Sequence, residues 1–484
     1  MISEEYNVIL FFKFTTIMKK LLLFTALLVA NLSEGNELLR FKLNKDDKLQ
    51  STFSASIGNG SSVHFVIAKN GGSKKFLIMP YLVDASNKVK KLNSFASENN
   101  FNIVSFHSNN DVLSIVDYNS DDKEINFIDF NMSTGKSTSK RQEQKTPFDH
   151  LFRLKNKTLL VTLDKKTNFL KVQSVATSDA ITQTNISIPA DKQKLFKKLA
   201  EQTPESVNQD EFVKNGSISS RKAYSIGNEI VYTFEKDKSE TQVLKFDLNK
   251  TEDFALSSIN TEDLKSSKDV SNYLINDKIA FLAVDKDDVK LNIFDINNSN
   301  KTNSLSFKND LSASIAQEQL SNFMKQASKS SNKSTVTVNK TKDNKLKFRV
   351  DYVNASEYSY NYNWWFNQWF FQQQMMMQQQ HMMMINRQAQ MRMGPSVSNS
   401  DFMYFEEFKD EKKALEFTLD TDFKTTGQEN NTLQYPEIDK DKYLEKYKND
   451  RKIKQFTSNF ENNEVHVIYQ DLNSKDIVIS YETL

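Results

Sequence analysis

The chain has 484 residues, with Lys+Arg 64 against Asp+Glu 62 for a formal net charge of +2, and the two signs are interspersed along it. That balance gives no basis for nucleic-acid binding, which needs a concentrated basic surface. Zero cysteines exclude disulfides, thiolate metal sites, thiol nucleophiles and a lipid-modified N-terminal cysteine.

In chain order, Met18-Lys19-Lys20 precedes the apolar run Leu21 to Ala30 and the mostly small or polar stretch Asn31 to Asn36. Charge order and run length are those of a secretory signal peptide, so residues 1–35 read as a signal region, with cleavage expected between Asn31 and Glu37. An apolar run of about ten residues is too short to span roughly 30 Å of hydrocarbon. A second apolar patch, Val8 to Phe14, lies upstream of the lysines and makes Met18 a candidate start. The signal and an Asn/Lys-rich, cysteine-free composition predict an exported bacterial protein, whether periplasmic, outer-membrane-associated or extracellular.

Residues 36–484 are dominated by pairs of short strands rich in Val, Ile, Phe and Tyr, joined by polar turns. Two segments show the pattern best, Glu229 to Asn249 and Lys278 to Asn297. Related hairpins begin near Val63, Val112, Leu159, Phe402 and Val465, giving seven units. Val63 lies 49 residues before Val112, Val112 lies 47 before Leu159, and Ile230 lies 49 before Ile279. A unit of that length has room for four strands, with Phe101 to His107 before its hairpin and Ser133 to Arg141 after it. The fold class predicted is all-β, a β-propeller of about seven four-stranded blades with helical insertions. A β-sandwich followed by a second β domain is the alternative. The segment Arg40 to Asn44 resembles Lys245 to Asn249 and is expected to pair with the strand around Val478, completing the last blade and covering its edge. In this repeat pattern the chain resembles propellers such as the WD-repeat and YVTN groups in architecture; their signature dipeptides are not in the sequence, so no functional residue carries over.

Three charged segments read as helical insertions, Asp191 to Gln209, Asp310 to Lys329 and Pro436 to Lys452, with Asp191, Asp310 and Asp439 as starting caps. Strand parity places all three at one end of the blades. The insertion 354–399 differs in chemistry: it holds Trp364, Trp365 and Trp369, every tryptophan of the chain, and eight of the fourteen methionines. Apolar triplets centred on Trp365, Met376 and Met383 fall on one helical face, Phe370 falls off it, and Gly394-Pro395 ends the run. With its hairpin placed after it, at Phe402, the insertion is expected at the end opposite the charged helices. Adaptable thioethers and tryptophans concentrated outside the repeat point to contact with a protein or membrane surface through Trp364, Trp365, Trp369, Phe370, Met376 and Met383. Local packing, low-complexity disorder and Cu(I) binding by His381, Met377 and Met384 are the alternatives.

Two histidines occupy matching repeat positions, His64 and His466, and are expected on adjacent blades as a paired pH-sensitive or metal-binding site. No nucleophile elbow, zinc helix, phosphate loop or dinucleotide fingerprint occurs in the sequence, and no cofactor is expected. The sequence therefore predicts a binding or scaffold module of an envelope assembly, with a glycan-acting propeller enzyme or a methionine-rich metal binder as alternatives.

Overall fold

The computed structural model describes residues 36–354, 414–426 and 444–483, apart from 59, 120–122, 145–146, 203, 208–217, 253, 342, 445, 448 and 462–463. Strand β1 (Asn36–Phe41) is followed by a first sheet of β2 (Asp47–Gly58), β3 (Ser61–Asn70), β4 (Phe76–Val83) and β5 (Val89–Lys91). After β6 (Phe95–Ser97) comes the second sheet, β7 (Ile103–Asn109), β8 (Val112–Asn119), β9 (Glu124–Asn131) and β10 (Ser137–Glu143). The third is β11 (His150–Arg153), β12 (Thr158–Asp164), β13 (Phe169–Val175) and β14 (Ile181–Ser187). Helix α1 (Gln193–Glu201) leads to the fourth, β15 (Glu205–Val207), β16 (Arg221–Ile226), β17 (Glu229–Asp237), β18 (Glu240–Asp247) and β19 (Ala255–Asn260). The fifth is β20 (Asp269–Ile275), β21 (Lys278–Val284), β22 (Val289–Asp295) and β23 (Lys301–Ser306). Helix α2 (Gln317–Ala327) precedes the sixth, β24 (Asn332–Lys340), β25 (Leu346–Asn354) and β26 (Leu415–Leu419). The seventh joins β27 (Ile453–Glu461), β28 (Glu464–Asp471) and β29 (Ile477–Thr483) to β1.

Seven consecutive antiparallel meanders with short helices between them make an all-β fold of the β-propeller class. Strand number varies among the described residues: the fourth sheet has five strands and the sixth has three. The second strands, such as β8 and β21, are buried on both faces and so are mainly apolar, with Ser114 and Asp117 of β8 buried among the rest. The fourth strands β10, β14 and β23 are mostly exposed and carry Ser, Thr, Asn, Gln and Lys instead.

The repeated Asp/Asn strand endings have a backbone cause. In four hairpin turns an Asn or Asp opens the turn and its N–H donates to the carbonyl five residues on: Asn70, Asn131 and Asp471 close on Lys75, Lys136 and Asp476, and Asp295 closes on Asn300; the carbonyls of Asn131, Asp295 and Asp471 also accept from the N–H four residues on. Each opening side chain also accepts from a backbone N–H inside its turn, from Ser73, Thr134, Asn297 and Asn473 in chain order. The fifth residue is left-handed in all four, Lys74 (φ 64), Gly135 (φ 76), Ser299 (φ 61) and Lys475 (φ 63).

The chain divides into two compact units. The first contains the first and seventh sheets. There β1 pairs antiparallel with β29, Arg40 opposite Val478 and Phe41 opposite Ile477, so the N-terminal strand completes the last sheet as the sequence predicts. Phe41 stacks on Tyr81 at 4.6 Å, and Val66, Met79, Ile468 and Ile479 lie in the same apolar cluster. Arg40 fastens β1 further through Asp471 at 3.2 Å, and pairs along its own strand with Glu37 at 2.7 Å.

In the second unit, apolar faces of successive sheets pack together. Leu160 and Val175 join the second and third sheets, Phe152, Phe196 and Phe246 the third and fourth, and Tyr224, Phe281 and Phe348 the fourth to sixth. The expected caps are corrected here. Helix α1 starts after Lys192 and α2 after Ala316, neither with a side-chain cap, while Asp310 instead accepts from the Ser306 N–H at 2.7 Å. Of the third expected helix, Leu444, Lys446, Tyr447 and Asn449 are helical; Asp439 lies outside the described residues.

The position of the insertion is also corrected. Leu415–Leu419 is the second strand of the hairpin expected at Phe402, but its partner is β25, with Leu346 opposite Leu419 and Val350 opposite Leu415. The insertion therefore replaces the turn between the second and third strands of the sixth sheet. Asn354, where it leaves, is opposite Asn332, where the chain arrives from α2. It emerges at the α2 end, not the opposite one, and Gln319 of α2 donates to the Ala414 carbonyl at its return. Among the described residues no helix is long and apolar enough to cross a membrane.

Candidate functional site

Four of the five histidines are described, and all four are buried. In the first unit, strand pairing sets Ser54 opposite His64 and Asn459 opposite His466. The two imidazoles lie with ring centres 6.1 Å apart and share the Ser62 hydroxyl, 3.3 Å from His64 Nε2 and 2.8 Å from His466 Nδ1. His64 Nδ1 meets Ser54 Oγ at 2.8 Å, Ser54 meets Thr457 Oγ1 at 2.9 Å, and His466 Nε2 meets Glu464 Oε2 at 3.1 Å. With His64 neutral, Ser54 donates to His64 Nδ1 and His64 Nε2–H donates to Ser62, whose hydroxyl can then donate to His466 Nδ1, while Thr457 donates to Thr52 at 3.3 Å. Burial, then the neighbouring His466, lowers the His64 pKa to about 3.

Ser62, His466 and Glu464 have the connectivity of a nucleophile, base and orienting acid. Ser62 is wholly buried and its oxygen is already shared by two rings, so no substrate reaches it. Nor do the two rings face a common void, since each ring nitrogen already has a hydroxyl or carboxylate partner. Among the described residues no group of three or more His, Asp or Glu is placed to hold a metal ion.

A second polar cluster lies in the second unit, and sequence reasoning missed it. Lys222 on β16 is 1% exposed. Glu205 stands opposite it on β15, which pairs parallel to β16 outside the meander. On the other side Thr233 of β17 is directly opposite Lys222, and Glu235 follows two residues along on the same face. The next sheet closes over them. Lys222 Nζ donates to the Asn272 carbonyl at 3.0 Å, and the Asn272 amide donates to Glu235. Asp269, also on β20, accepts from Lys333 Nζ at 3.0 Å and from the N–H and hydroxyl of Ser334 at 2.6 and 2.8 Å.

Burial pushes Glu205 up to about 8 despite the Lys222 ammonium, and raises Glu235, where Asp269 adds to the effect and Lys222 opposes it. Burial likewise holds Lys222 below the usual lysine range against the pull of Glu235, Glu205 and Asp269. Glu205 and Glu235 are half-buried as whole residues, with their carboxyl groups turned into the cluster. The only sequence signal was weak: Lys222 sits in phase with Tyr224 on a strand whose alternate residues are apolar or aromatic.

The expected contact residues Trp364, Trp365, Trp369, Phe370, Met376 and Met383 lie outside the described residues, as do His381, Met377 and Met384. The signal region 1–35 does too.

No family model matches the chain, and no curated protein does. Solved structures do match. The β-propeller domain of the Trilobed protease from Pyrococcus furiosus, described as having an open velcro topology, is 9% identical over 90% of this chain and 96% of that one, at a TM-score of 0.33. An uncharacterized protein from Listeria monocytogenes, lmo1340, is 9% identical over 56% of this chain and 69% of that one, at 0.29. An apocarotenoid oxygenase from Synechocystis is 10% identical over 55% and 63%, at 0.27. At such identities and scores these likenesses carry nothing about activity, and the fold assignment stands on the sheet topology.

Proposed function

We propose that the protein is an exported binding module of a bacterial cell-envelope assembly, docking onto a protein or membrane surface through the Trp/Met-rich insertion. The observation that carries this reading is the way the insertion is rooted. Its ends, Asn354 and Ala414, sit on adjacent strands of a sheet whose pairing continues beneath them, Val350 opposite Leu415 and Phe348 opposite Phe417. Phe348 stacks on Phe417 at 5.2 Å and Phe323 of α2 meets Tyr352 edge-on at 5.7 Å, so the described strands of the sheet have an aromatic core of their own. An element hung between two paired strands that have apolar partners of their own, and holding the residues most suited to adaptable apolar contact, is better explained by docking than by folding.

Deleting residues 361–394 and joining the ends with a short Gly/Ser linker tests this. The deleted protein is expected to keep its far-UV circular dichroism and cooperative melt, and to lose co-purification with envelope membranes or a partner. Unchanged association, or loss of the melt, overturns the reading. Cu(I) titration of both forms separates the metal alternative, which requires stoichiometric binding that disappears with the methionines.

A further inference from the structure

We propose that Asn249 and Asn297 are acceptors for an N-linked glycan, added from a lipid-diphosphate donor by a transferase that reads an acidic residue two places before the asparagine. Such donors face away from the cytoplasm, so the modification rests on the export proposed above. Asn-x-Ser/Thr triplets occur thirteen times in the chain, so the triplet alone selects nothing. An acidic residue stands two places ahead of the asparagine in three of them: Asp129 before Asn131, Asp247 before Asn249 and Asp295 before Asn297.

The fold separates these three. Asp129 is buried and committed through both oxygens, to the Ser114 hydroxyl and the Ser178 N–H, each at 2.7 Å. Asp247 and Asp295 instead end third strands, and Asn249 and Asn297 follow at matching places in the turns to β19 and β23, both exposed. Asn249 Nδ2 donates to Asp247 at 3.1 Å, while Asn297 Oδ1 accepts from Lys245 Nζ at 2.9 Å and its Nδ2 has no partner among the described residues. Lys250 pairs with Asp247 at 3.6 Å and Lys278 with Asp295 at 2.6 Å, partly exposed pairs of small net strength. The turns explain the acids, since Asp247, Asp295 and Asp471 each accept from the N–H two residues on. They do not explain the hydroxyls. Four places after Asp471 the seventh sheet has Lys475, whereas Ser299 fills that place after Asp295 at φ 61, a conformation that costs a serine energy.

Position agrees with the proposed docking. Asp247 lies opposite Glu229 and Asp295 opposite Lys278, where second strands begin. The Trp/Met-rich insertion leaves the sixth sheet where its second strand ends, so glycans on these turns leave it uncovered. In the transfer, Nδ2 displaces the diphosphate from the donor's anomeric carbon. A C–N bond forms, the C–O bond breaks with its electron pair leaving on the lipid diphosphate, and one amide proton passes to a base of the transferase.

The test is the intact mass and glycopeptide map of the full chain, made in a bacterium carrying an acid-requiring oligosaccharyltransferase and its lipid-linked glycan, beside a strain lacking the enzyme. One form keeps its own N-terminus; in the second, residues 1–35 are replaced by an established signal peptide. The second form is expected to carry two glycans, on Asn249 and Asn297, and none without the enzyme. Asp247→Asn and Thr251→Val should each clear Asn249, and Asp295→Asn and Ser299→Ala should each clear Asn297. Exported second form that is bare, glycan that survives Asn249→Gln with Asn297→Gln, or occupancy indifferent to both aspartates overturns the proposal. If the first form stays in the cytoplasm, the export reading fails alone, and the second form still decides.

Discussion

Replacing His64 by Gln should flatten the acid limb of the protein's stability curve. Gln can still accept from Ser54 and donate to Ser62, so both hydrogen bonds at the ring positions are kept in kind. What it loses is the titration. The ring's pKa is about 3 in the folded protein against 6.5 ordinarily. A folded-state value below the unfolded one means the unfolded chain takes up the extra proton, so the contribution is complete above pH 6.5 and is lost as pH falls towards 3. Each pH unit inside that window is worth about 1.4 kcal/mol. Between pH 7 and pH 5 the parent should lose about 2 kcal/mol that the variant does not. The remaining titrating groups, including His150 with its pKa of about 3 and Asp117 with its raised value of about 7, are common to both proteins and cancel in the difference. Urea unfolding followed by far-UV circular dichroism at pH 7, 6 and 5 gives that difference directly. Parallel curves, with a parent-minus-variant gap that does not narrow on acidification, would show that His64 is not held neutral by burial.

Two further outcomes are expected. Arg40→Ala leaves Glu37, Asp471 and Asp476 clustered without their shared cation and loosens β1 from the seventh sheet, lowering stability by about 1 kcal/mol at low salt and less at high salt, as read by urea midpoints at two ionic strengths. Ser299→Gly relieves a left-handed residue at the turn position that Gly135 fills in the second sheet, and after the entropy of a more flexible unfolded chain a net gain of roughly 0.5 kcal/mol is expected in the same assay.

The fold was legible where one strand type carries the signal. Second strands lie between two packed faces, so β3, β8, β12, β17, β21 and β28 appear as mainly apolar runs, broken by single buried residues such as His64, Asp117 and His466, close to Val63, Val112, Leu159, Glu229, Lys278 and Val465. The opening Asp or Asn marks turns for a reason that is local in sequence, its side chain bonding two or three residues ahead. The sixth unit misled for the opposite reason. Its β25–β26 turn is replaced by a long insertion, so the strands that pair are far apart in sequence, while Phe402 offers an apolar run next to β26. The Lys222 cluster was illegible because Glu205 reaches it through a parallel strand outside the meander, and because a charged residue's burial is decided by β20 of another sheet. His107 and His150 went unnoticed too, although each sits on a first strand among buried neighbours and bonds a hydroxyl at 3.0 and 2.9 Å.

The buried polar groups bear on how such similar sheets keep their order. Apolar faces of Val, Ile, Leu and Phe are nearly interchangeable, so hydrophobic burial alone would allow a sheet to pack against the wrong neighbour. Across the second unit the sheets are also tied by carboxylates whose partners belong to the next sheet. Asp129 accepts from the Ser178 N–H at 2.7 Å, and Asp269 from the Ser334 N–H at 2.6 Å. In the first unit, Thr52 donates to the Gln455 carbonyl and Ser54 meets Thr457. A buried donor or acceptor left unmatched is worth about 1 to 3 kcal/mol against the structure, so a mispacked pair of sheets would lose more through these ties than through its apolar contacts. On this argument the buried histidines and the Lys222 cluster are parts of the code for sheet order.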